Sequence, residues 1–212
     1  MPLSFTLRGD GPSDIMLLPI LRWVLSQQLP QVEIRPQFAD PREFRHVRKN
    51  TLAHTLRQAL QLHPCDLLFV HRDAENQSPD QREDEIAVAI KELTDLELPY
   101  KIAVIPVRMS ETWLLIDKSA LRRAAGNPNG TADIDLPPVR KLESVADPKE
   151  KLHSTLRDAS GLKGRKLKSF RPESRVRLLS DLIKDYSPLL QLPAFVRVWQ
   201  KIAEFRSTYR PE

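Results

Sequence analysis

Apolar residues at Leu17, Leu21, Val24 and Leu25 recur with a period near 3.6 and predict a helix, capped at Ser13 or Asp14 and running to about Gln28. Before it, Leu3–Arg8 reads as a strand that ends in the turn Gly9-Asp10-Gly11-Pro12. Val32–Phe38 is a weaker strand, and Pro41–Leu62 predicts a helix with Leu52, Leu56, Ala59 and Leu60 inward. Within Asp66–Asp73 lies the unbroken run Leu-Leu-Phe-Val, which suits a strand buried on both faces, as in a parallel sheet. Serine at 78, proline at 79 and glutamine at 81 form a helix start, with the helix running to about Leu96. Tyr100–Val107 predicts another buried strand, and Ser110 opens a helix that ends before Gly126.

Four strands alternating with helices imply an α/β parallel sheet with right-handed crossovers over residues 1–125. A proline-bearing connection spans 126–147, and beyond it the pattern is helical only. Asp147-Pro148 is a further helix start, and Phe195, Val198, Trp199, Ile202 and Phe205 form the apolar stripe of the last helix. Residues 126–212 therefore read as a helical subregion packed on the sheet domain.

Composition narrows the class. The chain has 212 residues, 29% charged and 41% hydrophobic, which suits a soluble globular protein that buries its own core. Its apolar runs are too short to span a bilayer, its N-terminus has no signal-peptide pattern, and its single cysteine, Cys65, suits a reducing cytoplasm. The five histidines are scattered without zinc-ligand spacing. A formal net charge of +5 is compatible with a polyanionic partner.

Carboxylates follow three of the predicted strands: Asp10 and Asp14 after the first, Asp73 and Glu75 after the Leu-Leu-Phe-Val run, and Glu111 after Tyr100–Val107. In open α/β sheets the crevice outside the carboxyl ends of the strands is where ligands bind. Gathering Asp10, Asp73 and Glu75 there crowds like charges, and a hard divalent ion, Mg2+ or Mn2+, relieves that crowding. Asp14 serves equally as a helix cap, His71 and Trp113 read as packing, and Asp80, Glu83, Asp84 and Glu85 complement a helix dipole. The densest basic cluster is Lys163, Arg165, Lys166 and Lys168, and with Arg72 it is the candidate grip on nucleic-acid phosphates. A second basic group is Arg42, Arg45, Arg48 and Lys49.

These residues carry a resemblance. Phe5-Thr-Leu-Arg-Gly-Asp10-Gly11-Pro12-Ser13-Asp14 resembles the first Toprim motif, a strand followed by Glu-Gly and then Thr/Ser-Asp. Leu67-Leu-Phe-Val-His-Arg-Asp73-Ala74-Glu75 resembles the second, a strand followed by Asp-x-Asp. The stretch from Pro106 to Asp117, with Glu111 and Trp113, is similar to a Met-x-Glu-Ala-Trp-Leu signature of a bacterial family of Toprim-like proteins. The resemblance implies a Toprim-like fold and magnesium-dependent cleavage or joining of phosphodiesters, with Asp10, Asp73, Glu75 and Glu111 as the acids that would carry it. Nucleic acid is the implied partner, DNA ahead of RNA with the choice left open, and the implied relatives are nucleases of the overcoming-lysogenization-defect type. It also implies a partner ATPase and a part in antiviral defence. Two departures stand out: Asp10 replaces the usual glutamate and Glu75 the usual aspartate, each keeping its charge while changing its reach. The chain has no glycine-rich Walker loop, so ATP hydrolysis would be the partner's. The acids also leave open a catalytically degenerate shell that binds or regulates such an ATPase, or a phosphatase.

Overall fold

A computed structural model describes residues 2–44, 51–75 and 77–210. Its four strands are β1 (Leu3–Arg8), β2 (Ile34–Ala39), β3 (Leu67–His71) and β4 (Tyr100–Val104). They form an all-parallel sheet in the order β2-β1-β3-β4. Helices α1 (Leu17–Gln28), α2 (Leu52–Leu62), α3 (Pro79–Lys91) and α4 (Lys118–Ala124) flank it. After these come α5 (Pro148–Ser160), α6 (Gly164–Ser169), α7 (Glu173–Leu182) and α8 (Pro193–Thr208). This is the α/β architecture with C-terminal helices that the alternation of elements implies.

The side-chain period of a strand divides the core in two. Leu67 and Phe69 of β3 face one way, into the cluster that holds α1, Trp113 and the inner sides of α5, α7 and α8. Leu68 and Val70 face the other, against Leu56 of α2 and Ile86 of α3. Phe5 meets Phe69 edge-on at 5.3 Å, and Trp113 meets Phe195 of α8 in the same way at 5.3 Å. The larger core is thus shared between the sheet and the C-terminal helices. No helix among the described residues is long and apolar enough to cross a membrane.

Several elements differ from their sequence expectation for local reasons. The first helix begins as a 3-10 turn, Pro12–Met16, and becomes α-helical only at Leu17. That start leaves Pro19 in the first turn, where its missing N–H costs nothing. The expected Pro41–Leu62 helix is a 3-10 turn at Pro41–Phe44 and then α2, which Thr51 caps by accepting from the His54 N–H. Arg45, Arg48 and Lys49 lie outside the described residues, and Arg42 is paired with Asp40. β3 stops at His71 and β4 at Val104, just ahead of Pro106. The Ser110 helix is interrupted: a 3-10 turn covers Ser110–Leu114, and Asp117 caps a fresh start at α4.

Ser78 and Gln81 make the expected reciprocal cap on α3. On α5, Asp147 Oδ1 accepts from the Glu150 N–H at 2.9 Å, and Gly161 in the left-handed region ends the helix. Asp147→Ala is expected to lower the unfolding free energy by about 1 kcal/mol in urea titration, the usual effect of losing an N-cap.

Candidate functional site

The register brings distant loops to one edge. Arg8 pairs with Val70 and His71 with Val104, so the segments after β1, β3 and β4 leave the sheet side by side. The β3 and β4 loops stay joined beyond the strands, through Arg72 N to Val104 O, Ala74 N to Pro106 O and Glu75 N to Arg108 O. At that last rung both Glu75 (φ 53°) and Arg108 (φ 62°) occupy the left-handed region, a strained conformation held by its surroundings.

A buried polar chain runs across this edge. His71, with no exposure, places Nδ1 3.0 Å from Asp14 Oδ2 and Nε2 3.1 Å from Asp73 Oδ1. Asp14 Oδ2 also accepts from the Gly11 N–H at 2.9 Å, and Asp73 Oδ1 from the Ser110 N–H at 3.1 Å. The turn can close over Asp14 because residue 9 is glycine: a Cβ there would lie 2.8 Å from the Asp14 Cβ. Burial opposes charge on His71, but its hydrogen bonds to the two carboxylates override it and raise the imidazole to about 10, so it stands as imidazolium at neutral pH. Burial likewise works against ionisation of Asp14, and the His71 contact outweighs it, holding the carboxyl below its usual range.

Around this chain lies a string of ion pairs. Asp10 is held by Arg8 at 2.8 Å and by Arg72 at 3.0 Å. Arg72 continues to Glu85 at 3.3 Å, Arg82 joins Glu85 at 2.9 Å, and Arg82 reaches Glu75 at 3.6 Å. Arg8 is buried and also donates to Thr55 Oγ1 at 3.0 Å. Its burial lowers the guanidinium's proton affinity, and the Asp10 charge partly restores it.

Glu111 is different. It sits buried in the Ser110–Leu114 turn. Burial pushes its carboxyl up and the charges of Asp73 and Asp14 push it further, while its own backbone N–H and Lys149 pull it down. The balance is a carboxyl held above its usual range, chiefly by burial.

The residues expected to form the metal site are therefore divided. Asp10, Asp73, Glu75 and Glu111 all lie at the strand-end edge, but Asp10 is occupied by two arginines and Glu75 turns to Arg82. Among the described residues, no group of three or more His, Cys, Asp and Glu side chains is placed to hold a metal ion. Asp73 and Glu111 remain as two hard oxygen donors on adjoining loops, joined through the Ser110 N–H, and among the described residues Asp73 Oδ2 makes no hydrogen bond. Magnesium commonly binds through one or two carboxylates together with water and phosphate oxygens, and this pair fits that chemistry.

Lys163, Arg165, Lys166 and Lys168 are exposed on or beside the six-residue α6. Among the described residues no hydrogen bond or ion pair ties them to the strand-end edge. Arg72 is at that edge but engaged by Asp10 and Glu85. Asp14, read from sequence as a cap, does accept from the Gly11 N–H at the head of the 3-10 turn, and with His71, read as packing, it is also the centre of the polar chain. The signal available in sequence was a histidine closing a strand buried on both faces, since such a side chain needs polar partners. Comparison of the chain with protein-family models, with curated proteins and with solved structures finds no match.

Proposed function

We propose that the strand-end edge takes a divalent cation, Mg2+ or Mn2+, at Asp73 and Glu111 and cleaves phosphodiester bonds of nucleic acid. The observation that carries this reading is that Asp73 Oδ1 accepts from the Ser110 N–H at 3.1 Å, at the head of the turn that holds the buried Glu111, so that both acids come to one edge. A bound divalent ion would supply positive charge for the phosphate oxygens and the leaving oxygen. The chain's own residues do the positioning. His71 fixes Asp73 and Asp14 from below, and the Ser110 N–H holds the same Asp73 oxygen from the side. Asp10 keeps the Arg8 and Arg72 guanidinium groups at the same edge.

The test is cleavage of supercoiled plasmid and of labelled oligonucleotides, with Mg2+ or Mn2+ titrated against a chelator. Cutting that appears with the metal and stops with the chelator is the expected result. No cutting with either metal, or cutting that persists in chelator, defeats the reading.

The Arg8–Asp10–Arg72 arrangement favours a second reading. The acid that follows β1 is already neutralised by two cations, as in a shell that has lost chemistry and serves to bind or regulate a partner ATPase. Co-purification with an ATPase, without cleavage by the pair at any metal concentration, distinguishes it from the first.

A further inference from the structure

Three concavities adjoin one another where the strand-end edge meets the C-terminal helices. The first, of about 520 Å3, has Glu75, Arg108 and Lys149 in its wall. The second, of about 220 Å3, is walled by Glu111, Lys149, His153 and Arg177. The third, of about 420 Å3, is walled by Arg22, Trp23, Arg177 and Lys184. Lys149 belongs to the first and second, and Ile15 and Arg177 to the second and third, so the three adjoin in series, in the order a groove would take.

We infer that this groove, and not the α6 cluster, carries a single strand of nucleic acid past the strand-end acids, with its phosphates on Arg108, Lys149 and Arg177; the inference rests on the phosphodiester reading above. The state of the cations supports it. Arg8, Arg72 and Arg82 at the strand ends are all spent on carboxylates. The groove cations are not: Arg108 donates to the Ala146 carbonyl and Lys184 to the Asp181 carbonyl, and among the described residues none of Arg22, Arg108, Lys149, Arg177 or Lys184 forms an ion pair. Unpaired cations lining a concave surface are what tracks a phosphate backbone.

The acids of the groove have separate explanations. Glu111 and Glu75 lie at the strand-end part, Asp147 Oδ1 caps α5, Glu173 faces His153 at 3.8 Å, and Asp181, exposed in the third concavity, is outnumbered there by Arg22, Arg177 and Lys184. A single strand fits better than a duplex because the cations lie inside concavities, where a flexible chain can bend and a stiff rod cannot. Half-buried Trp23 at the far end adds an aromatic wall of the kind on which an unpaired base stacks. Phosphate contacts carry no base information, so recognition is expected to be largely indifferent to sequence.

Fluorescence anisotropy of a labelled single-stranded oligonucleotide, with chelator present so that nothing is cut, tests this. Lys149→Ala/Arg177→Ala is expected to weaken binding about tenfold and to reduce the slope of log affinity against log salt by about 1.4, because two phosphates are no longer neutralised. Arg165→Glu/Lys166→Glu/Lys168→Glu on α6 is expected to bind like the wild type, and unlabelled duplex to compete less well than unlabelled single strand. The inference is overturned if the α6 variant loses binding while the groove variant keeps it, if duplex competes equally, or if the wild type binds no oligonucleotide. Both groove residues are exposed, and a urea titration of the double variant separates lost binding from lost folding. Metal-dependent cutting by the wild type with unaltered binding by the groove variant would sink the groove alone and leave the phosphodiester reading standing.

Discussion

His71→Leu lowers the free energy of unfolding by about 3–5 kcal/mol at neutral pH, the usual effect of removing one partner of a buried ion pair. The reason lies in what the substitution leaves behind. Asp14 is buried, with a side chain 7% exposed, and its ionic partner is His71. Leucine fills the space but offers no proton, so Asp14 must stay charged without that partner or take up a proton. Asp73, 20% exposed in its side chain and still accepting from the Ser110 N–H, suffers less. Urea titration of His71→Leu, Asp14→Leu and the double variant separates these effects. The double variant is expected to regain more than half of the loss, because an apolar pair replaces an ion pair without stranding a charge. A single-variant loss within about 0.5 kcal/mol, the range of ordinary surface substitutions, would show that the buried chain contributes nothing to stability.

The second large effect concerns Glu111. In the metal-free protein Glu111→Gln removes one of several crowded negative charges and is expected to leave stability unchanged or raise it. In the metal-bound protein the same change removes a ligand. Asp73→Asn removes the other and also weakens the contact to the His71 imidazolium, so it is expected to reduce both metal uptake and stability. The pairing of a neutral or favourable effect on folding with a loss of metal binding marks Glu111 as a functional acid, because a structural carboxylate would lose stability when neutralised.

Much of the scaffold was legible in sequence because it depends on local chemistry. Leu3–Arg8 is a strand at both its expected ends, the Leu-Leu-Phe-Val run is buried on both faces, and Ser78, Asp147 and Gln81 cap as their residue types require. Prolines stand at two of the misplaced limits: Pro19 lies in the first turn of the late-starting α1, and Pro106 just beyond the shortened β4. The convergence of the strand-end acids followed from parallel topology. Their pairing did not, since it depends on which guanidinium reaches which carboxylate in three dimensions. Arg72, for example, spans 62 residues to Asp10 and 13 to Glu85. The same limit hid the adjoining concavities, whose cations come from α1, the β4 loop, α5, α7 and the segment after α7, which share no sequence pattern.

The proposed chemistry requires that the Asp73–Glu111 pair take a divalent ion. Titration of Mn2+ followed by electron paramagnetic resonance, in which protein-bound ion loses the sharp signal of the free ion, measures this without any need for substrate. The expected result is Mn2+ uptake by the wild type, weakened at least about tenfold in Asp73→Asn and in Glu111→Gln. No uptake by the wild type, or equal uptake by all three proteins, contradicts it.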